Sequence, residues 1–152
     1  MRSPINIRPL LGVKRTYNPK GLALFTQGLL DTYSTTKDKQ HLQAAESLLS
    51  TLMGIKSPGN WSGNCWGYHY PWQDPGFYAP TNTPNAVVTS FVCEAFLDAY
   101  EVTGNNEYLK TVASAIEFFL NDLTVLKETA DELCLAYMPV SYTHLTLPTI
   151  TE

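Results

Sequence analysis

The chain has 152 residues, 44% hydrophobic and 12% aromatic, with a formal net charge of −4. That composition supports one folded domain and excludes a disordered chain. Its 10 Lys and Arg residues are scattered, which excludes the basic stripe of a nucleic-acid binder, and no apolar run has transmembrane length.

Residues 1–17 read as an irregular, Pro-containing lead-in. The first twelve residues, MRSPINIRPLLG, lack a continuous apolar core and a small-residue cleavage site, so they do not read as a signal peptide. Asn18 stands at an N-cap position with Pro19 at the first helical position. The helix predicted from Pro19 to about Tyr33 is apolar on nearly every side, through Leu22, Ala23, Leu24, Phe25, Leu29, Leu30 and Tyr33. A polar turn, Ser34 to Lys37, leads to Asp38 as the next cap. The helix predicted from Lys39 to about Met53 is amphipathic, with Leu42, Ala45, Leu49, Leu52 and Met53 on one stripe.

A long connection follows, from about Gly54 to Asn82. Thr83-Pro84-Asn85 then opens a third helix, apolar on most faces and reaching about Thr103. Gly104-Asn105-Asn106 ends it and starts a fourth, whose stripe is Tyr108, Leu109, Val112, Ile116, Phe119, Leu120 and Leu123. Buried and amphipathic helices therefore alternate.

The two halves repeat. A shift of 67 residues aligns Thr16 with Thr83, Asn18 with Asn85, Leu30 with Leu97, Asp31 with Asp98, Tyr33 with Tyr100, Thr36 with Thr103, Leu42 with Leu109 and Ser47 with Ser114. Two residues later in register, Cys65-x-x-Tyr68 aligns with Cys134-x-x-Tyr137. Helix pairs at this period predict an all-α fold built as a curved array of hairpins, an incomplete α/α toroid of about two hairpins. In such a ring the helices opening at Pro19 and Pro84 form the inner layer, and those opening at Lys39 and Asn106 the outer layer. A tetratricopeptide stack is the competing architecture, but its period is ~34 residues with short turns, and the connection to Asn82 is far too long for it.

The last stretch reads differently. Val140 to Thr149, VSYTHLTLPT, resembles the in-frame translation of a transposase adapter used to prepare sequencing libraries. The expectation is a partial domain over 1–139 and a foreign tail over 140–152. Tyr142 and His144 then carry no function, the natural product is longer, and Met1 need not be its start.

The long connection holds all three Trp residues, Trp61, Trp66 and Trp72, together with Tyr68, Tyr70, Phe77 and Tyr78. Long irregular loops in compact domains are usually functional. Flat aromatic faces beside amides and carboxylates suit sugar rings, whose C–H faces stack while their hydroxyls hydrogen-bond. The substrate-binding candidates are Trp61, Asn64, Trp66, Tyr70, Trp72 and Asn85; the alternative is that the aromatics pack the loop down as a lid. For Asn85, and for Asn18, helix capping is the simpler role.

The catalytic candidates are Asp74, His69 and Tyr68. Asp74 is the loop's one carboxylate, and apolar neighbours would raise its pKa toward that of a general acid. A glycosidase needs two carboxylates, so its partner would lie elsewhere. Ahead of Pro75-Gly76, Asp74 also reads as a turn initiator. His69 with Tyr68 and Tyr70 fits the base and acid of a lyase or epimerase acting on a uronic acid, or a structural histidine. Cys65, His69 and Cys134 raise the possibility of zinc, although the repeat already accounts for both cysteines. Three cysteines, an odd number, read as reduced thiols in the cytoplasm. No cofactor is implied. Asn60-Trp61-Ser62 fits a glycosylation sequon, but nothing else indicates secretion.

Three segments together, RSPINIRPLLGVKRTYNPKGLALF, CWGYHYPWQ and NTPNAVVTSFVCEAFLDAYEVTG, resemble a family. It comprises bacterial α/α-toroid proteins, related to six-hairpin glycosidases and terpenoid-cyclase-like toroids and encoded near polysaccharide-assembly genes. The resemblance spans about residues 2–139 and carries no diagnostic catalytic motif. It implies an all-α ring, a glycan or sugar-containing ligand and a cytoplasmic setting, with loops from outer to inner helices lining the cleft. The expected activities are a hydrolase, lyase or epimerase acting on a bacterial glycan, or a non-catalytic glycan-binding or scaffold role. Zinc sites at the mouth of other toroids, in lanthionine cyclases and prenyltransferases, are the parallel for the Cys65–His69–Cys134 alternative.

Overall fold

The computed structural model describes residues 10–12, 15–73 and 78–139. Asp74 and the whole 140–152 tail therefore lie outside the described residues. The fold is all-α, with helices α1 (Pro19–Thr36), α2 (Lys39–Gly54), α3 (Ala86–Thr103) and α4 (Asn106–Asn121). Two small antiparallel pairs supplement them: β1 (Trp72–Gln73) with β2 (Tyr78–Ala79), and β3 (Val125–Glu128) with β4 (Leu133–Leu135). Among the described residues no helix is long and apolar enough to cross a membrane.

The 67-residue repeat extends to individual hydrogen bonds. Asn18 Oδ1 accepts from Gly21 N–H at 3.3 Å, and Asn85 Oδ1 accepts from Val88 N–H at 2.9 Å. Asp38 Oδ1 accepts from Gln40 N–H at 2.9 Å, and Asn105 Oδ1 accepts from Glu107 N–H at 3.1 Å. Lys37 and Gly104 both end their helices in the left-handed region, with φ of 59° and 71°, and donate N–H to Tyr33 O and Tyr100 O. Each cap satisfies a backbone group that the helix end would otherwise leave bare. Helix α1 runs three residues past the predicted Tyr33. The hydroxyls of Thr32, Thr35 and Thr36 donate to carbonyls one turn back, which holds the polar end in helical form.

Helices α1 and α3 are parallel neighbours. Lys20 Nζ sits 4.1 Å above the Phe91 ring, and seven residues further along both helices Gln27 Nε2 donates to Asp98 Oδ2 at 2.9 Å. Their N-termini therefore share one end of the fold. Helix α2 packs on α1, and α4 packs on α3. The main core joins Ala23 and Leu30 of α1, Ala45, Leu49 and Leu52 of α2, and Val88, Val92, Ala95, Phe96 and Ala99 of α3.

The expectation that both inner helices are buried all round does not hold: even α3, the more buried of the two, leaves Val87 and Leu97 each 37% exposed. Helix α3 is flanked by α1 and α4, and it buries Val88, Thr89, Val92, Ala95, Phe96 and Ala99. Helix α1 has neighbours on two sides and leaves Phe25 72% and Leu24 48% exposed. Gly28 lies on this open side, and a Cβ there would meet no atom within 4 Å. Gly28→Ala is therefore expected to stabilise the protein by about 0.5–1 kcal/mol, read as a higher urea midpoint at unchanged slope.

Candidate functional site

The 55–85 connection is fixed at both sides of Trp66. Trp66 is 0% exposed, and its indole Nε1–H donates to Leu52 O at 2.7 Å, tying the loop to the end of α2. Its backbone N–H donates to Thr89 Oγ1 at 3.1 Å, and its carbonyl accepts from Asn85 N–H at 3.1 Å, tying the loop to the start of α3. Gly67 bridges Pro84 in antiparallel fashion, and Asn82 N–H donates to Tyr68 O at 2.7 Å. The loop thus lies over the N-terminal end of α3, the end that α1 shares.

This placement revises two candidates. Trp66 is a core residue with its donor satisfied, so it presents no face to a sugar. Asn85 is 1% exposed and its side chain caps α3. The α3 terminus is also less open to ligands than its position suggests, because Asn85 N–H donates to Trp66 O and Ala86 N–H donates to Tyr137 O at 2.8 Å.

Beyond Gly67 the side chains turn outward and assemble an aromatic face. Tyr68 and Tyr70 stack with ring centroids 5.3 Å apart and planes 21° from parallel. Trp72 meets Tyr137 edge to face at 6.2 Å. Burial, then the neighbouring Tyr68 and Tyr70, pushes the Tyr137 hydroxyl up to about 12. Burial, then Tyr70, raises Tyr68 as well. At neutral pH these groups are uncharged donors and acceptors, suited to hydroxyl ligands and unsuited to act as bases. Tyr70 and Tyr78 are each 50% exposed, and Trp72 is half-buried. His69, between the stacked tyrosines, is partly buried, and its Nε2 is buried with no hydrogen-bond partner among the described residues.

Tyr137 was absent from the sequence candidates, although the repeat signalled it: it is the mate of Tyr68, and the two stand together. The paired cysteines do not behave alike. Cys65 is buried with Phe118 and Leu123, whereas Cys134 is exposed on β4 and only its neighbour Leu135 reaches that cluster. The cause is that residues 55–65 press on α4, while 125–135 fold back on themselves as a hairpin. Burial, then Asp122, pushes the Cys65 thiol up to about 12 against a lowering by Lys56. Among the described residues no three His, Cys, Asp or Glu side chains are grouped to hold a metal, and the zinc alternative gains no support.

Trp61 and Asn64 stand apart from the aromatic face. They line a separate cleft of ≈ 350 Å³ with Lys56, Ser57, Ser62 and Ser114. Of the substrate-binding candidates only Trp61 and Asn64 line this cleft, and neither Tyr68 nor His69 does. Lys56 and Ser57 were missed in the sequence; Lys56 is the connection's single cation between Gly54 and Asn82, which is the signal that marks it.

The sequence matches no family model, and neither the curated proteins nor the solved structures yield a significant match.

Three acids with raised values give a pH dependence. Burial, then Glu94, pushes Cys93 from 9.0 to about 12, as burial does for Cys65, and Tyr137 rises from 10.0 to about 12. Each raised group keeps its proton in the folded state after the unfolded chain has lost it. The stability they contribute is complete below pH 9 and falls as pH rises toward 12. Thermal midpoints should therefore hold steady to about pH 8.5 and decline above it, and Cys93→Ala should shallow that decline.

Proposed function

We propose that this chain binds a glycan through the aromatic face formed by Tyr68, Tyr70, Trp72 and Tyr137, as part of an α/α-toroid protein of polysaccharide assembly. The observation that carries the reading is the stacked Tyr68–Tyr70 pair beside the Trp72–Tyr137 edge, at the end of the fold where α1 and α3 both begin. Flat faces with neutral hydroxyls at their rims offer stacking surfaces and hydrogen bonds together, as a sugar ring requires. The ring architecture and the cytoplasmic setting belong to the same reading; parallel α1 and α3, with α2 packed on α1 and α4 on α3, support the ring.

Binding is the first reading because the ring surface is open to a ligand, with Tyr70 half exposed and stacked on Tyr68. One observation keeps an enzymatic reading alongside it: the unpartnered, buried Nε2 of His69, a poised acceptor or donor for a lyase or epimerase.

Calorimetric titration with neutral oligosaccharides tests the proposal. Tyr70→Ala and Trp72→Ala should each weaken binding about tenfold, and Ile116→Ser on α4 should leave it unchanged. Equal affinity in all three variants would remove the aromatic face from the account. Turnover that vanishes in His69→Ala while binding persists would establish the enzyme.

A further inference from the structure

The segment from Ser57 to Cys65 is a closed loop, since Ser57 N–H donates to Cys65 O at 2.9 Å. Its second half is anchored at several points. Trp61 Nε1–H donates to Pro58 O at 3.0 Å, and the ring meets Phe118 edge to face at 6.1 Å, which sets the indole plane. Ser62 donates its N–H and its hydroxyl to the Asp122 carboxylate. Asn64 donates from its backbone to Ser114 Oγ at 3.1 Å and from Nδ2 to Thr111 O at 3.3 Å. Gly63 lies so close to α4 that a Cβ would fall 1.7 Å from Ser114 O.

The ≈ 350 Å³ cleft between this loop and α4 lies at the small end of ligand sites, which run from roughly 300 to 1,000 Å³. Its lining carries one charge, Lys56. Lys56 Nζ gives one N–H to Asn64 Oδ1 at 3.0 Å, and an ammonium has three to give. Ser57 also lines the cleft. It is 8% exposed, and its Oγ has no hydrogen-bond partner among the described residues. A buried hydroxyl without a partner costs about 1–3 kcal/mol, so a ligand that supplies one is favoured. The Asp122 carboxylate keeps its charge while it accepts from Ser62, and its field reaches Cys65 in the cleft lining, so an anion is drawn to the Lys56 side.

We propose that this cleft is a second binding site, for a single sugar ring bearing one anionic group, a carboxylate or a phosphate. Lys56 takes the anion, Ser57 and Asn64 take ring hydroxyls, and the half-buried Trp61 supplies the apolar wall. No residue of the cleft belongs to the aromatic face, so the two sites stand or fall separately. The anchored loop is already in its bound shape, which limits the ordering cost of binding.

The test titrates glucuronate, glucose 6-phosphate and glucose into the full chain and follows the backbone amide signals of Ser57 and Asn64 and the indole signal of Trp61. Saturating shifts are expected with at least one anionic sugar below about 10 mM, with glucose at least tenfold weaker. A preference between the two anionic probes identifies carboxylate or phosphate. Lys56→Met should weaken the anionic sugar by about tenfold and leave oligosaccharide binding at the aromatic face intact. As a check that needs no variant, wild-type affinity should fall when salt is raised from about 20 to 200 mM. The proposal is overturned if neither anionic sugar saturates, if glucose binds equally well, or if affinity is indifferent to both Lys56 and salt.

Discussion

Trp66→Ala is expected to destabilise the protein by about 3–5 kcal/mol, the range for emptying a large buried aromatic site. Trp66 heads the fully buried side chains of the core and packs on Phe96 with ring centroids 6.3 Å apart. Its indole N–H is the tie from the loop to Leu52 O. Alanine leaves a cavity between α2 and α3 and an unanswered carbonyl at the end of α2. Trp66→Phe keeps most of the volume and loses the hydrogen bond, so about 1–2 kcal/mol is expected. Urea unfolding followed by circular dichroism measures both. A loss below about 1 kcal/mol for alanine would mean that the loop does not hold the two helices together.

Gly67→Ala is expected to cost about 3 kcal/mol and to weaken the proposed glycan binding at the same time. A Cβ at Gly67 would fall 1.9 Å from Thr83 O and 2.5 Å from Thr83 C. Both atoms are backbone, so no side chain can turn aside. The strand at Gly67 must separate from Pro84, and the bonds from Asn82 to Tyr68 and from Asn85 to Trp66 must stretch with it. Tyr68 and Tyr70 follow directly in the chain, so the aromatic face moves too. Gly28→Ala, with open space at its Cβ, is the matched control. The expected result is a lowered urea midpoint with a raised Kd for Gly67→Ala; a neutral outcome in both would contradict the close approach.

The helices were legible because their stop and start signals are chemical. Asn18 with Pro19, Asp38, Asn85 and Gly104 each sit where the structure caps a helix. The repeat made the second set of caps a check on the first, and it linked Tyr68 to Tyr137. The strands were not legible. Trp72–Gln73 pairs with Tyr78–Ala79 over two residues each, too few for any alternation to register. The roles of the tryptophans were not legible either. Trp61, Trp66 and Trp72 share one loop and one chemistry, and what separates them is which partner lies within reach. Trp66 finds Leu52 O, Trp61 finds its own loop at Pro58 O, and Trp72 finds the Tyr137 ring. Those distances arise from tertiary packing and leave no local trace. Exposure of Leu24 and Phe25 on α1 belongs to the same class, since periodicity marks an apolar face without saying what stands opposite it.

The aromatic face as the glycan site is tested most directly by the indole N–H signals of the three tryptophans during titration with neutral oligosaccharides. Each tryptophan gives one signal, and each stands in a different place: Trp66 in the core, Trp61 at the cleft beside α4, and Trp72 on the face with Tyr137. The account predicts that the Trp72 signal moves and saturates while those of Trp66 and Trp61 stay in place. A Trp72 signal that stays fixed at saturating oligosaccharide, or one that moves only together with Trp66, would contradict it.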